Sequence, residues 1–157
     1  MSKNDDAVTA PDPKPDAFEG LLCFAIYSTG LAFNRVYKPL LDRLGLTYPQ
    51  YLVILALDTR DGQAVSELGE QLFLESNTLT PLIKRLEAAG MVTRRRDSAD
   101  ERVVRVSLTD RGRDVAREAA CVPEHVLEAT GMTREQLVDM QRALVGLRTN
   151  LRAGGAA

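Results

Sequence analysis

Across residues 76–90, SNTLTPLIKRLEAAG, apolar side chains recur at helical spacing as Leu79, Leu82, Ile83 and Leu86. Thr78, Thr80, Pro81, Lys84 and Arg85 fall toward the other side. The pattern predicts a helix with one core-facing stripe and one face of hydroxyls and cations. The period then changes. In residues 91–112, MVTRRRDSADERVVRVSLTDRG, Val92 and Thr93, then Val103, Val104, Val106 and Leu108, form two short β-rich runs. The loop predicted between them carries Arg94, Arg95, Arg96, Asp97, Asp100 and Arg102. A helix bearing small hydroxyl and cationic side chains suits a major groove, and a cationic hairpin tip suits the phosphates and minor groove beside it. Together they predict a winged helix-turn-helix.

Elsewhere the pattern is helical almost throughout. Residues 18–28 are apolar enough for a buried helix, and Gly30 loosens the join to a second over 31–44, closed by Gly45. Thr47, with Pro49 as an early helical residue, opens a third helix across 51–58. Asp61-Gly62 marks a turn, and a short helix runs from Ala64 or Val65 to Leu72 with Ser66 and Glu67 in its first turn. Glu75-Ser76-Asn77 supplies a turn and cap for the recognition helix. Pro81 must lie near that helix's N-terminal end, since deeper inside it would remove a backbone bond, and Gly90 stops the helix. Thr109-Asp110 caps a long helix through Ala120, which Pro123 interrupts or kinks. A final helix from Thr133 to about Leu151 carries Leu137, Met140, Leu144, Leu147 and Leu151 as an apolar stripe. The fold class is therefore mainly α with a small β-hairpin wing. Helices at both ends exceed what one subunit's core needs, which predicts a homodimer intertwined through its N- and C-terminal helices. Residues 1–16 read as a disordered arm and 17–152 as one domain, with a DNA-binding lobe at about 48–110.

Charge sharpens this picture. The 157 residues carry a net charge of −2, which taken alone argues against a polyanionic partner. Residues 76–113, however, hold nine cationic against five acidic side chains, a surplus of four, so the remainder carries −6. Local field guides a polyanion more than net charge does. The N-terminus, polar and proline-containing, lacks the apolar centre of a signal peptide. No stretch approaches the roughly 18 apolar residues of a membrane span. With two cysteines and no export signal, a reducing cytoplasm is the expected compartment. A single histidine, His125, the lack of a metal-ligand cluster and the lack of a phosphate-binding glycine loop predict no cofactor, no metal and no enzyme of the usual kinds.

The segment LGEQLFLESNTLTPLIKRLEAAGMVTRRRDSADERVVRVSLTDRG resembles the winged helix of the MarR family of bacterial repressors, including its D-x-R wing signature, Asp100 and Arg102, running into the Leu108-Thr109 helix start. The similarity extends over nearly the whole chain from about Phe18. Through LLCFAIYS, NRVYKPLLDRLGLTYPQYLVILAL and FLESNTLTPLIKRLEAAG it further resembles the organic-hydroperoxide-sensing, OhrR-type branch. The resemblance implies a reduced homodimer on double-stranded operator DNA and release by organic hydroperoxide. It matches Arg102 to a wing arginine of the minor groove and Asp100 to its companion. Ser76, Thr78, Thr80, Pro81 and Lys84 are nominated for bases and phosphates, and Arg94, Arg95 and Arg96 for phosphates, with one of the three only covering the hairpin.

Cys23 sits among Leu21, Leu22, Phe24 and Ile26, and composition alone favours a small buried hydrophobe there. A desolvated thiol is also a poor nucleophile unless something stabilises its thiolate, and phenol O–H donors would serve. In the resembled branch, tyrosines matching Tyr37 and Tyr48 do this from the partner subunit, and Tyr27 lies one turn from Cys23. In its two-cysteine members, a cysteine matching Cys121 resolves the oxidised sensor by a disulfide to the other subunit. Two alternatives stay open: a MarR-type repressor released by a small aromatic ligand with Cys23 structural, and a thiol peroxidase, which would leave the basic wing unexplained.

Overall fold

The computed structural model describes Phe18 and residues 20–154, so the predicted N-terminal arm lies outside the described residues. The first helix, α1 (Leu22–Asp42), is followed by α2 (Tyr48–Thr59), strand β1 (Gln63–Ala64), α3 (Val65–Leu72) and α4 (Ser76–Ala88). Strands β2 (Val92–Arg96) and β3 (Val104–Leu108) form the wing, and α5 (Asp110–Glu118), a 3-10 turn (Ala119–Cys121), α6 (Val122–Thr130) and α7 (Arg134–Gly154) complete the chain. The architecture is a winged helix-turn-helix, mostly helical with one small antiparallel sheet.

Local chemistry explains the starts. The Thr47 backbone N–H donates to the Gln50 side chain at 2.9 Å, and Pro49 sits in the first turn of α2, where its missing donor costs nothing. Ala64 N–H donates to Glu67 at 2.7 Å, and the Thr109 hydroxyl accepts from Gly112 N–H at 3.0 Å. Thr133 and Gln136 form a reciprocal pair of side-chain to backbone bonds at 2.9 and 3.2 Å ahead of α7.

Four expectations need correction. Residues 22–42 are one unbroken helix through Gly30, not two, because a single glycine costs only about 1 kcal/mol and Leu31 and Ala32 carry the helix on. This helix is also not buried within the chain: Leu22, Phe24, Ile26, Tyr27 and Leu31 are exposed, and only Leu41 is fully covered. Arg94, Arg95 and Arg96 lie in strand β2 rather than in the loop, opposite Val106, Arg105 and Val104. Pro81 stands in the second turn of α4, so one backbone donor is forgone inside the helix. The sheet also has a third member, since β1 pairs with β3 through Gln63 opposite Val106 and Ala64 opposite Arg105, in the order β1-β3-β2.

The core is centred on α2, whose Tyr51, Val53, Ile54, Ala56 and Leu57 are buried with Leu68, Leu79, Ile83, Leu86, Val92 and Val106. Gln63, the one buried polar side chain among the described residues, donates through its amide to the Ala56 and Arg60 carbonyls, both at 2.8 Å. The Arg60 carbonyl past the end of α2 thereby gains a partner, and Ala56 O, which already accepts from Arg60 N–H at 3.1 Å, gains a second. Asp61 then ties the turn to the wing, accepting from Leu108 N–H at 2.9 Å and pairing with Arg113 at 3.1 Å.

The tightest approach is where α5 starts against β2. Thr109 donates through its N–H to Met91 O at 3.0 Å and through its hydroxyl to Gly90 O at 2.6 Å. A Cβ on Gly112 would stand 2.1 Å from that same Met91 carbonyl oxygen. Gly112→Ala must therefore part β2 from α5. It is expected to destabilise the protein by about 1–3 kcal/mol, the usual cost of overpacking, read as a fall in the denaturant midpoint.

Candidate nucleic-acid interface and thiol site

Helix α4 turns Leu79, Leu82, Ile83 and Leu86 inward, leaving Ser76, Asn77, Thr78, Pro81 and Lys84 exposed and Thr80 half-buried. Beside it the wing cations are individually fixed. Arg94 is fastened to Glu87 of α4, with a guanidinium contact of 2.7 Å and an Nε bond of 2.8 Å, so its head braces strand to helix. Arg105 is turned away from Arg95, its cross-strand neighbour, by Asp97, the Gly62 carbonyl and Glu67. That relieves a like-charge pair directly opposed in the sheet. Arg96 donates to Glu101 O at 2.9 Å, steadying the tip, and Arg95 has no partner among the described residues.

Asp97 and Asp100 build the tip itself. The Asp97 carboxylate accepts from Ala99 N–H at 2.7 Å, and Asp100 accepts from Arg102 N–H at 3.1 Å. Asp100 also takes the Arg102 guanidinium on both oxygens, Nε at 3.0 Å and Nη2 at 3.1 Å, and this fork holds its carboxyl below the usual range. The Arg102 side chain remains 91% exposed, so its geometry is fixed while its outer donors stay open to a partner. A groove between wing and helix is lined by Ser66, Ser76, Thr80, Arg94, Arg102 and Val104 among others.

The second candidate site lies on the far side of α2. The rings of Tyr37 and Tyr48 are 4.7 Å apart between centroids, and Tyr51 stands 6.2 Å from each. Burial first, then the neighbouring Tyr48 and Tyr51, push the Tyr37 phenol up to about 12. Tyr48 is raised by burial, and Tyr51 by burial, by Tyr48 and by the nearby Cys121 sulfur. All three therefore remain O–H donors at neutral pH. Sequence reasoning alone misses Tyr51. Its spacing of three from Tyr48, which places both on one helical face, is the signal that could have found it.

Within one chain Cys23 is not part of this cluster. It is fourteen positions from Tyr37 on the same continuous helix, about 21 Å along the axis at 1.5 Å per residue. Cys23 is exposed, and Tyr27 one turn on is also exposed, with its ring 6.5 Å from Phe24. Cys121, also a free and exposed thiol, sits at the 3-10 turn with Sγ 3.5 Å from Glu118 O. Among the described residues no cluster of side chains is suited to hold a metal, and no helix is long and apolar enough to cross a membrane.

The family profile described as transcriptional regulator SarA/Rot matches residues 35–119. The HTH-type transcriptional regulator TtmR of Methylorubrum extorquens is 47% identical over 88% of this chain and 71% of its own length. The organic hydroperoxide resistance transcriptional regulator of Bacillus subtilis is 41% identical over 85% of this chain and 90% of its own. Among solved structures, reduced AbfR bound to DNA superposes with a TM-score of 0.71 at 34% identity, covering 84% of this chain and 90% of that one. A disulfide-formed AbfR superposes at 0.57, with 33% identity over 84% of this chain and 88% of that one.

The raised Tyr37 phenol makes folding more proton-demanding at high pH. Its contribution is intact below about pH 10, the ordinary value, and is lost as pH rises toward 12. Denaturation midpoints followed from pH 9 to about 12 should fall, and Tyr37→Phe should flatten that fall. An identical alkaline profile in the two proteins would contradict the buried cluster.

Proposed function

Because this chain belongs to the MarR/SarA-type winged-helix transcriptional regulators, we propose that it is a repressor that holds operator DNA when reduced and releases it when organic hydroperoxide oxidises Cys23. The observation that carries the redox reading is the partly buried tyrosine cluster, with raised phenols and the Cys121 thiol at its edge. Three phenols gather there, and among the described residues none of them donates to an acceptor. The apolar side chains left uncovered on α1, Phe24, Ile26 and Leu31 among them, and on α7, Val138, Met140 and Leu144 among them, support a second copy as the missing cover. A homodimer that brought the partner's Cys23 to Tyr37 and Tyr48 would complete the site.

The chemistry balances. The Cys23 thiolate attacks the peroxide O–O bond, giving sulfenic acid and releasing the organic alcohol after proton transfer. Cys121 of the other subunit then displaces water to form a disulfide. A disulfide within one chain is disfavoured by the length of α1, since the two Cα atoms must come within about 7 Å. On the DNA side, α4 supplies Ser76, Thr78, Thr80, Pro81 and Lys84 to the major groove. Arg102 reaches the minor groove, and Arg95 and Arg96 meet phosphate. Arg94, held by Glu87, is the arginine that covers the hairpin.

The alternative of release by a small aromatic ligand has one observation in its favour, an apolar cleft of about 270 Å³ between α1, α6 and α7 lined by Phe33, Val36, Val126 and Met140. Intact-mass measurement after one equivalent of cumene hydroperoxide separates the readings. Oxidation at Cys23 with a crosslinked dimer on non-reducing gels, dissolved by thiol, supports the redox repressor. An unmodified protein favours the ligand, and turnover of many equivalents favours a peroxidase. Cys23→Ser should bind DNA yet ignore peroxide, and Cys121→Ser should react but progress to overoxidised Cys23. Arg102→Ala should weaken specific binding by about 1–3 kcal/mol in an anisotropy titration.

A further inference from the structure

The α3–α4 turn carries an unusual residue. Phe73 ends α3 with φ of +57°, the only positive φ at a non-glycine among the described residues, and its side chain is 51% exposed. A bulky residue in this region is strained and persists only where its surroundings fix it. Its exposed ring is met by two cations from the far end of the chain. The guanidinium carbons of Arg148 and Arg152 lie 4.3 and 4.7 Å from the Phe73 ring centroid, one turn apart on the same face of α7. Stacking on an aromatic face holds a guanidinium in place while leaving its in-plane N–H donors unused. Among the described residues neither arginine is ion-paired, although Glu70 and Glu75 line the same cleft. Two cations are thus gathered on one ring without a counter-charge in contact.

Their position matters more than their number. The cleft they line includes Ser66 and Ser76, and the same two serines line the groove that holds Thr80, Arg94 and Arg102. One continuous surface therefore runs from the wing, past the first residue of α4, to the end of α7. We propose that Arg148 and Arg152 grip the DNA phosphate backbone beside the recognition helix, which extends the interface to the C-terminal helix. The inference rests on the DNA-binding reading above. Stacked arginines with free planar donors suit phosphate oxygens better than base edges, so they add affinity and register rather than sequence preference. They would also make the grip on DNA depend on where α7 lies.

The test uses the full-length reduced protein and a duplex of about 30 base pairs, long enough for two half-sites, selected from a randomised pool by the wild type. Binding is titrated by anisotropy over a series of NaCl concentrations. The Arg148→Gln/Arg152→Gln protein should bind more weakly, and its plot of log affinity against log salt should be shallower by about 0.9 for each phosphate no longer neutralised. Arg148→Lys/Arg152→Lys, which keeps the charges, should retain most of the slope. Arg152→Gln alone, close to the chain end, gives the same reading if the double variant folds poorly. A weaker affinity with an unchanged salt slope would overturn the proposal and leave the arginines as a strut on Phe73. A wild type that binds no duplex would instead remove the DNA reading on which the proposal stands.

Discussion

Helix α2 is covered on almost every side, and the placement of both candidate sites follows from that burial. Tyr51, Val53, Ile54, Ala56 and Leu57 are each at most 5% exposed, and the helix packs against α1, α3, α4, α5 and β3. Close-packed interiors do not yield gradually, because each side chain has little room before it meets its neighbour. Tyr48 begins this helix and the tyrosine cluster flanks it, while the buried stripe of α4 rests on it from the DNA-binding side. On the proposed reading, a displacement imposed at the tyrosines would therefore reach the recognition helix as movement of a rigid unit. Gln63 and Asp61 extend the same unit past the end of α2 into β3 and α5.

The wing follows a different rule. Exposed ion pairs contribute little to stability, because solvent screens them, and Asp100–Arg102 belongs to that class. What the acids of the wing supply is direction. Glu87 draws Arg94 inward, Asp97 draws Arg105 off the face it would share with Arg95, and Asp100 locks Arg102 in an extended fork. A chain with a net charge of −2 can in this way present aligned, open donors at chosen points without a uniformly basic surface.

The sequence pattern is a good guide where a residue type has one strong local consequence. Helix starts at Thr47, Thr109 and Thr133 and the inward stripe of α4 follow directly from capping chemistry and period. The pattern is a poor guide where the deciding contact is distant or the signal polar. Arg94, Arg95 and Arg96 lack alternating hydrophobicity, yet pairing with β3 makes them strand. The two-residue β1 exists only because β3 is there to receive it. Gly30 resembles a break, but its local penalty is weak against the continuous helical period around it. Tyr51 looks like ordinary core, and its neighbour Cys121 is seventy residues away in sequence, so no spacing could announce that contact. The apolar length of α1 reads as burial within the chain. In the single chain that surface stays uncovered, and on the proposed reading a second copy covers it.

On the proposed reading, that cover is what lets oxidation act on DNA. Phenols raised by burial stabilise a thiolate as neutral donors, so no competing cation is left behind when the sulfur changes state. Conversion to sulfenic acid, and then to disulfide, removes the negative charge those donors were facing. In a desolvated site, each donor left without a partner costs about 1–3 kcal/mol. That is the scale needed to shift operator affinity tenfold, about 1.4 kcal/mol, and it arises beside the helix that cannot deform locally. A sensor placed between two subunits, with donors from one and sulfur from the other, turns a single chemical step into a preference for a different subunit arrangement. Two recognition helices spaced for one operator cannot both remain seated when that arrangement changes.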